Sequence, residues 1–220
     1  SLISGTSGIE VKNLAKLNDV FNKTIKAGLG LVLVVGGGKV CRQYQDAALR
    51  LKKGLKSRDL DWIGIYATRI NAALIRAIFS GSAPDDLLYA GFKISKAALK
   101  KYKIIVGAGL EPGSSSDLRS VEWAVRTGAG EVINCTNINY VYTADPRKYK
   151  SAKPVYDITW KDYLKIIGTK RVPGGNWPFD PVASLCAMQN GITVKIVNGN
   201  NPLEVHKALT GEKFRGTIIH

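Results

Sequence analysis

Four stretches of the chain gather glycines, hydroxyls and isolated charges in patterns suited to phosphate groups and sugar hydroxyls. The first is Val34-Val-Gly-Gly-Gly-Lys-Val-Cys-Arg42. Three successive glycines let the backbone approach a ligand closely, and a helix opening behind them favours an anion. Arg42 would lie near the first turn, where its guanidinium can make a two-pronged contact with phosphate. A plain strand-to-helix turn would use the same glycines. Neither common nucleotide fingerprint is present, because the spacing is not G-x-G-x-x-G and Val40 follows Gly38-Lys39 where a P-loop carries Ser or Thr.

The second stretch is Val106-Gly-Ala-Gly-Leu-Glu-Pro-Gly-Ser-Ser-Ser-Asp117, with small-residue turns and three hydroxyls just before a helix. It could cradle a phosphate or a sugar; Asp117 could equally be an N-cap, the commonest role of an Asp there. The third, Thr136-Asn-Ile-Asn-Tyr-Val-Tyr-Thr-Ala-Asp-Pro146, offers the Tyr142 ring to a base and the Asp145 carboxylate to sugar hydroxyls or an exocyclic amine. Taken alone, Asp145-Pro146 is a turn signal. The fourth, Asp61-Trp-Ile-Gly-Ile-Tyr-Ala-Thr-Arg-Ile-Asn-Ala72, reads as a helix with Asp61 at its start, again the place of a cap.

The elements that must position these residues follow from periodicity. Val11, Leu14, Leu17, Phe21 and Ile25 share one face of a helix over 11–26, closed by Gly28 and Gly30. A continuous apolar run at 31–35 has the form of a buried parallel strand. Helices are predicted at 39–51 and 61–79, and the lysine-rich 81–103 stretch reads as a strand and a short helix. Beyond it come a strand at 103–106, a helix at 117–127 and a strand at 131–135. The remainder reads as helices at 160–167, 180–190 and 202–209, with strands at 192–197 and 216–219. This alternation predicts an α/β fold: a three-layer αβα sandwich with a mostly parallel central sheet. Residues 1–220 read as a single domain, with two lobes expected. In such sheets ligands bind beyond the carboxyl ends of the strands.

Composition narrows the classes. The 220 residues are 45% hydrophobic and 22% charged, an ordinary globular balance that excludes a disordered or coiled-coil chain. No apolar run approaches the roughly 18 residues of a membrane span. Three cysteines at wide spacing, without CxxC, suggest neither a disulfide framework nor a zinc site, and a reducing cytoplasm fits them. His206 and His220 are isolated, so no metal site is expected. The net charge of +15 invites a polyanion. The lysines are scattered (Lys52, Lys53 and Lys56; Lys93 to Lys103; Lys148 and Lys150) without an RNA-binding motif, which reads as solvated faces and not as a nucleic-acid site. Arg42, with Lys39 and Arg69, has a place near a phosphate. The tryptophans at 62, 123 and 160 read as packing residues.

Taken in order, these segments resemble the amino acid kinase superfamily, most closely UMP kinases of the archaeal type. The resemblance covers nearly the whole chain and rests on Gly36-Gly-Gly-Lys-x-x-Arg42, Asp61-x-Ile-Gly-Ile-x-x-Thr-Arg-x-Asn-Ala72, Pro112-Gly-x-x-x-Asp117, Thr136-Asn-x-x-x-Val-Tyr-Thr-Ala-Asp-Pro146 and Asp180-Pro-x-Ala183. It implies transfer of the ATP γ-phosphoryl group to UMP, with Mg²⁺ carried by the nucleotide, in a cytoplasmic homohexamer of pyrimidine nucleotide biosynthesis. Gly37 and Asp61 would touch UMP, and Leu110, Glu111, Pro112, Gly113, Ser114, Ser115 and Ser116 would wrap it. ATP would meet Ser1, Gly38, Arg42, Thr136, Asn137, Tyr142 and Asp145. Arg42 and Asp117 would be catalytic, Asp117 as an organiser of nearby groups and not as a proton acceptor. The acceptor lobe would span about 1–117 and the ATP lobe about 118–220.

The resemblance has departures. Ser1-Leu2-Ile3 looks like the tail of the family's opening glycine motif, so a first strand is expected ahead of Ser1. Ile138-Asn139-Tyr140 stands where the family usually has Val-Asp-Gly, and Ser114-Ser115-Ser116 replaces a Thr-rich run. Two other readings share these residues: another phosphotransferase of the superfamily, acting on an amino acid, carbamate or isoprenoid phosphate, or a non-catalytic relative that binds nucleotides or oxyanions.

Overall fold

The computed structural model describes residues 8–87, 100–170 and 177–220. The chain divides into two compact units between Arg119 and Ser120. Part of the expected strand and short helix over 81–103, the Ser1 position and part of the Gly/Pro-rich stretch before Asp180 lie outside the described residues.

In the first unit, helix α1 (Val11–Lys26) leads into strand β1 (Leu31–Val34), followed by α2 (Gly38–Leu51), α3 (Ser57–Ile78) and β2 (Ile104–Gly107). Strands β1 and β2 pair in parallel, Leu31 opposite Ile104 through Val34 opposite Gly107. The core gathers Leu14 from α1, Ala72 and Ile75 from α3, and Ile104 and Val106 from β2, with Phe21, Leu31 and Leu33 packed against it. The three-and-four spacing of α1 and α3 places those side chains on one stripe each, and every residue of β2 is buried, as its unbroken apolar run predicts.

One boundary differs in a way that matters. Helix α3 begins at Ser57, four residues before Asp61, with Lys56 extended at φ −70° and ψ 146° as its N-cap. Asp59 occupies the first turn, where a carboxylate suits the positive pole of the helix. Asp61 therefore lies inside the helix and is not its cap.

The second unit carries a four-stranded sheet in the order β3 (Glu131–Thr136), β7 (Thr193–Asn198), β8 (Gly216–Ile219), β6 (Asp157–Ile158). β3 and β7 are parallel, β7 and β8 antiparallel, and β6 and β8 parallel. The short strands β4 (Val141–Tyr142) and β5 (Pro154–Val155) form an antiparallel pair, and helices α5 (Trp160–Ile167), α6 (Pro181–Gln189) and α7 (Pro202–Thr210) complete the unit. Val194, Ile196, Ala183, Ala187, Val205 and Ala208 are fully buried between sheet and helices. Tyr163 on α5 is also fully buried, and its hydroxyl donates to the Phe179 carbonyl while accepting from the Phe179 amide. Asp180 caps α6 by accepting from the amides of Val182 and Ala183. Helix α4 (Ser116–Thr127) runs across the boundary between the units.

Candidate active site

In the first unit, backbone pairing outlasts β1 by one residue, since the Val35 amide donates to Gly107 O at 3.0 Å. The chain then turns through Gly36 and Gly37 into α2, with Gly37 as N-cap and Gly38 at φ +63°. That φ favours glycine, which has no Cβ to strain there. A Cβ on Gly37 would stand 2.7 Å from the Cys41 Cβ, so the close packing of this turn needs a residue without a side chain. One on Gly36 would stand 3.6 Å from Ser116 Oγ, which places the glycine turn beside the start of α4. Burial pushes the Cys41 thiol up, against the lowering effect of Arg42 and with the support of Asp61. Arg42 itself is exposed on α2.

Helix α3 fixes both loops that leave the parallel strands. Asn71 is buried, at 3% exposure, and its amide donates to Gly36 O at 2.9 Å. The Thr68 hydroxyl accepts from the Gly109 amide at 2.9 Å and donates to Ile65 O at 2.7 Å. Arg69 donates from Nε to Gly109 O at 3.2 Å and from Nη2 to Leu110 O at 3.4 Å. Two turns earlier, Asp61 Oδ2 accepts from the Gly113 amide at 2.8 Å, with Gly113 at φ +87°. Asp61 thus acts across the chain on the 110–116 loop, and its cap reading is replaced by this contact.

The same loop is tied at Glu111, whose carboxylate meets Arg119 Nη2 at 2.9 Å. At its end, Ser115 Oγ accepts from the Leu118 amide at 3.1 Å, the bond an N-cap makes to the third residue of its helix. Ser115 therefore caps α4, and Asp117 sits half-buried in the first turn.

In the second unit, Thr136 ends β3 and Asn198 ends β7 in parallel register. Thr136 Oγ1 accepts from the Ile138 amide at 2.9 Å, and Gly199 N donates to Thr136 O at 2.9 Å. Asn137 is exposed. Asn139, in the departing triplet, accepts from the Asn198 side-chain amide at 2.9 Å, joining the two strand-end loops. Tyr142 stands edge-on to Tyr140 at 6.4 Å between ring centroids, and Tyr140 lies under the Arg215 guanidinium. Asp145 is closed on Arg147, accepting from its amide, Nε and Nη2. Those hydrogen bonds, the side-chain ones foremost, hold its carboxyl below the usual range.

Gly37, Gly38, Arg42, Asp61, Asp117 and the 110–116 loop thus occupy the first unit or its last helix. Thr136, Asn137, Tyr142 and Asp145 belong to the second. Sequence reasoning missed the positioning roles of Thr68, Asn71, Arg119 and Asn198. The signal for the first two was available as polar side chains on the inward stripe of an apolar helix. Among the described residues, no group of three His, Cys, Asp or Glu side chains is placed to hold a metal.

Comparison with known proteins agrees with this architecture. The amino acid kinase family model matches residues 1–198. A uridylate kinase of Methanocorpusculum labreanum is 36% identical over 195 residues, covering 88% of this chain and 81% of that protein. A second, from Methanoculleus marisnigri, is 30% identical over 212 residues, covering 96% of this chain and 89% of that protein. The crystal structure of uridylate kinase from Archaeoglobus fulgidus superposes with a TM-score of 0.81 at 29% identity, covering 96% of this chain and 94% of that one. The chain, with its glycine turn and its strand-end loops in the order the motifs predict, belongs to the amino acid kinase family.

Proposed function

We propose that the protein is a UMP kinase, moving the γ-phosphoryl group of ATP to UMP to give UDP and ADP. The observation that carries this reading is the set of uridylate kinase relatives at 30% identity or above over most of both chains. The geometry supports it: the glycine turn, Asp61 and the 110–116 loop meet around the carboxyl ends of two parallel strands, where α/β folds bind ligands. The other two readings, a different phosphotransferase and a non-catalytic relative, are not favoured by those relatives.

In this reading a phosphate oxygen of UMP forms a bond to Pγ as the bond from Pγ to the β–γ bridging oxygen breaks, and ADP leaves. Bringing two anions together is the main task, so positioning and charge neutralisation dominate. Backbone amides of Gly37 and Gly38 and the exposed Arg42 would stabilise the charge on the transferred group. Asp61 and residues 110–116 would hold UMP in an acceptor lobe of about 1–117, and Thr136, Asn137 and Tyr142 would receive ATP in a lobe of about 118–220. Asp145 would do so only after its pairing with Arg147 opens. Asp117 would order groups at the start of α4. Mg²⁺ would enter as a passenger of the ATP phosphates, keeping several of its waters. Ser1 would belong to the ATP site.

The proposal extends to a cytoplasmic homo-oligomer serving pyrimidine nucleotide synthesis, a hexamer by resemblance. An apolar stripe on α3 supports self-association. Tyr66 and Ile70 are 62% and 66% exposed, in line with Trp62, Ala73 and Ala77. Two antiparallel copies would set Tyr66 over Ala73 and Trp62 over Ala77, large against small, about an axis between Arg69 and Ile70. Sedimentation of a Tyr66→Glu variant tests this: smaller particles are expected, and an unchanged assembly would contradict it. Formation of UDP from ATP and UMP by the purified protein, followed by nucleotide chromatography, tests the activity.

A further inference from the structure

Arg119 is an unusual residue to find where it is. Its side chain is only 7% exposed. It also projects from the N-terminal part of α4, where the helix pole is positive and a cation is disfavoured. Burying a guanidinium there is costly unless an anion and hydrogen bonds compensate. Glu111 supplies that charge at 2.9 Å, although its own side chain is 64% exposed and sits in the loop assigned to the acceptor. Neither local helix preference nor surface solubility explains the pair.

The neighbours of Glu111 show what the pair accomplishes. Arg69 holds the carbonyls of Gly109 and Leu110 from one side. Asp61 holds the Gly113 amide, and Pro112 has its φ restricted by its ring. Glu111 is the intervening residue, and Arg119 takes hold of it from the opposite helix. Every residue from Gly109 to Gly113 is therefore restrained by a side chain of α3 or α4 or by its own ring. A loop ordered before its ligand arrives spares the binding step the cost of ordering it.

We propose that Arg119, acting through Glu111, is a positioning residue for the acceptor loop. The ion pair presets the 110–113 backbone for the acceptor nucleotide and neutralises a carboxylate that would otherwise face the acceptor's phosphate. This rests on the UMP kinase reading of the same loop. Arg119 does not touch the reacting atoms in this scheme, and its loss acts on acceptor binding and not on ATP.

The test is steady-state kinetics on the wild-type protein, Glu111→Ala, Arg119→Glu, and the charge-swapped double variant Glu111→Arg/Arg119→Glu. Each single variant is expected to raise KM for UMP by about tenfold, with kcat and KM for ATP within about twofold of wild type. The swapped pair restores an opposite-charge contact and is expected to recover most of the loss. A purely structural role would lower melting temperature without separating the two KM values. Unchanged KM for UMP in Glu111→Ala, or tighter UMP binding, overturns the proposal. A swapped protein that folds but recovers none of the loss in KM for UMP also overturns it. Should the swapped protein not fold, a double-mutant cycle of Glu111→Gln and Arg119→Gln on KM for UMP decides: coupling supports the pair, and additivity overturns it. A wild-type protein that forms no UDP would instead defeat the underlying kinase reading, a distinct outcome.

Discussion

The Asp61 carboxylate, in the second turn of α3, accepts a hydrogen bond from the backbone amide of Gly113 at 2.8 Å, across 52 residues of sequence. The contact joins two segments proposed for the acceptor site and gives Asp61 a geometric task before any ligand enters. Asp61→Ala is expected to raise KM for UMP by at least about tenfold and to leave KM for ATP within about twofold. Asp61→Asn keeps an acceptor oxygen for Gly113 and is expected to fall between. Kinetics with each substrate varied in turn checks this, and equal effects on both KM values would argue against the assignment.

Asn71 is the buried anchor of the glycine turn. Asn71→Ala removes the donor to the half-buried Gly36 carbonyl and is expected to cost about 1–3 kcal/mol in urea unfolding. Activity is expected to fall with it, because the turn proposed to face the transferred phosphate loses its fixed position.

Gly37 is packed against the helix it starts. Gly37→Ala puts a Cβ 2.7 Å from the Cys41 Cβ, an overlap that forces backbone movement and is expected to cost about 1–3 kcal/mol. Cys41→Ala in the same protein should not relieve it, since the clash is with Cβ. Cys41→Gly should recover part of the loss. Thermal unfolding of the three variants checks the order.

Burial pushes the Cys135 thiol, on β3, up to about 12. Its ordinary value is 9.0, so between these values the unfolded chain releases a proton that the folded chain keeps. The unfolded state then binds fewer protons, and stability falls as pH rises, by at most about 1.4 kcal/mol per pH unit from this group. Below pH 9 the contribution is constant. Denaturant unfolding of wild type and Cys135→Ala at pH 8 and pH 10 checks it: the alkaline loss is expected to be smaller in the variant. Iodoacetamide at pH 9 should label Cys135 slowly in the folded protein and readily in urea.

Much of the fold was legible because it rests on patterns local to the chain. Helices at 11–26 and 160–167 and the strand at 216–219 fall where apolar spacing and flanking glycines place them. β4, β5 and β6 have two residues each, too few for a period to register, and exist through pairing with distant strands. The start of α3 was hidden because Lys56 makes no side-chain cap to announce it.

The site was legible as segments and not as contacts. Glycines at 36–38 and the hydroxyl run at 114–116 state their chemistry in their residue types. Thr68 and Asn71 do not, since their partners lie 41 and 35 residues away. Glu111 is a carboxylate in a loop proposed for an anionic acceptor, and its partner Arg119 on the next helix is not marked by any local sequence pattern. Asp145 shows the reverse: an acceptor that looks open in sequence is closed on Arg147 two residues on.

The most direct test of the central claim is the reaction itself. Protein purified from its natural reading frame, given Mg²⁺, ATP and a panel of acceptors (UMP, CMP, AMP, carbamate, glutamate), is analysed for phosphorylated product and ADP. UDP formed in step with ADP, with UMP preferred over the other acceptors, is the predicted result. ATP binding without product from any acceptor, or phosphorylation of an acceptor other than a nucleoside monophosphate, would contradict it.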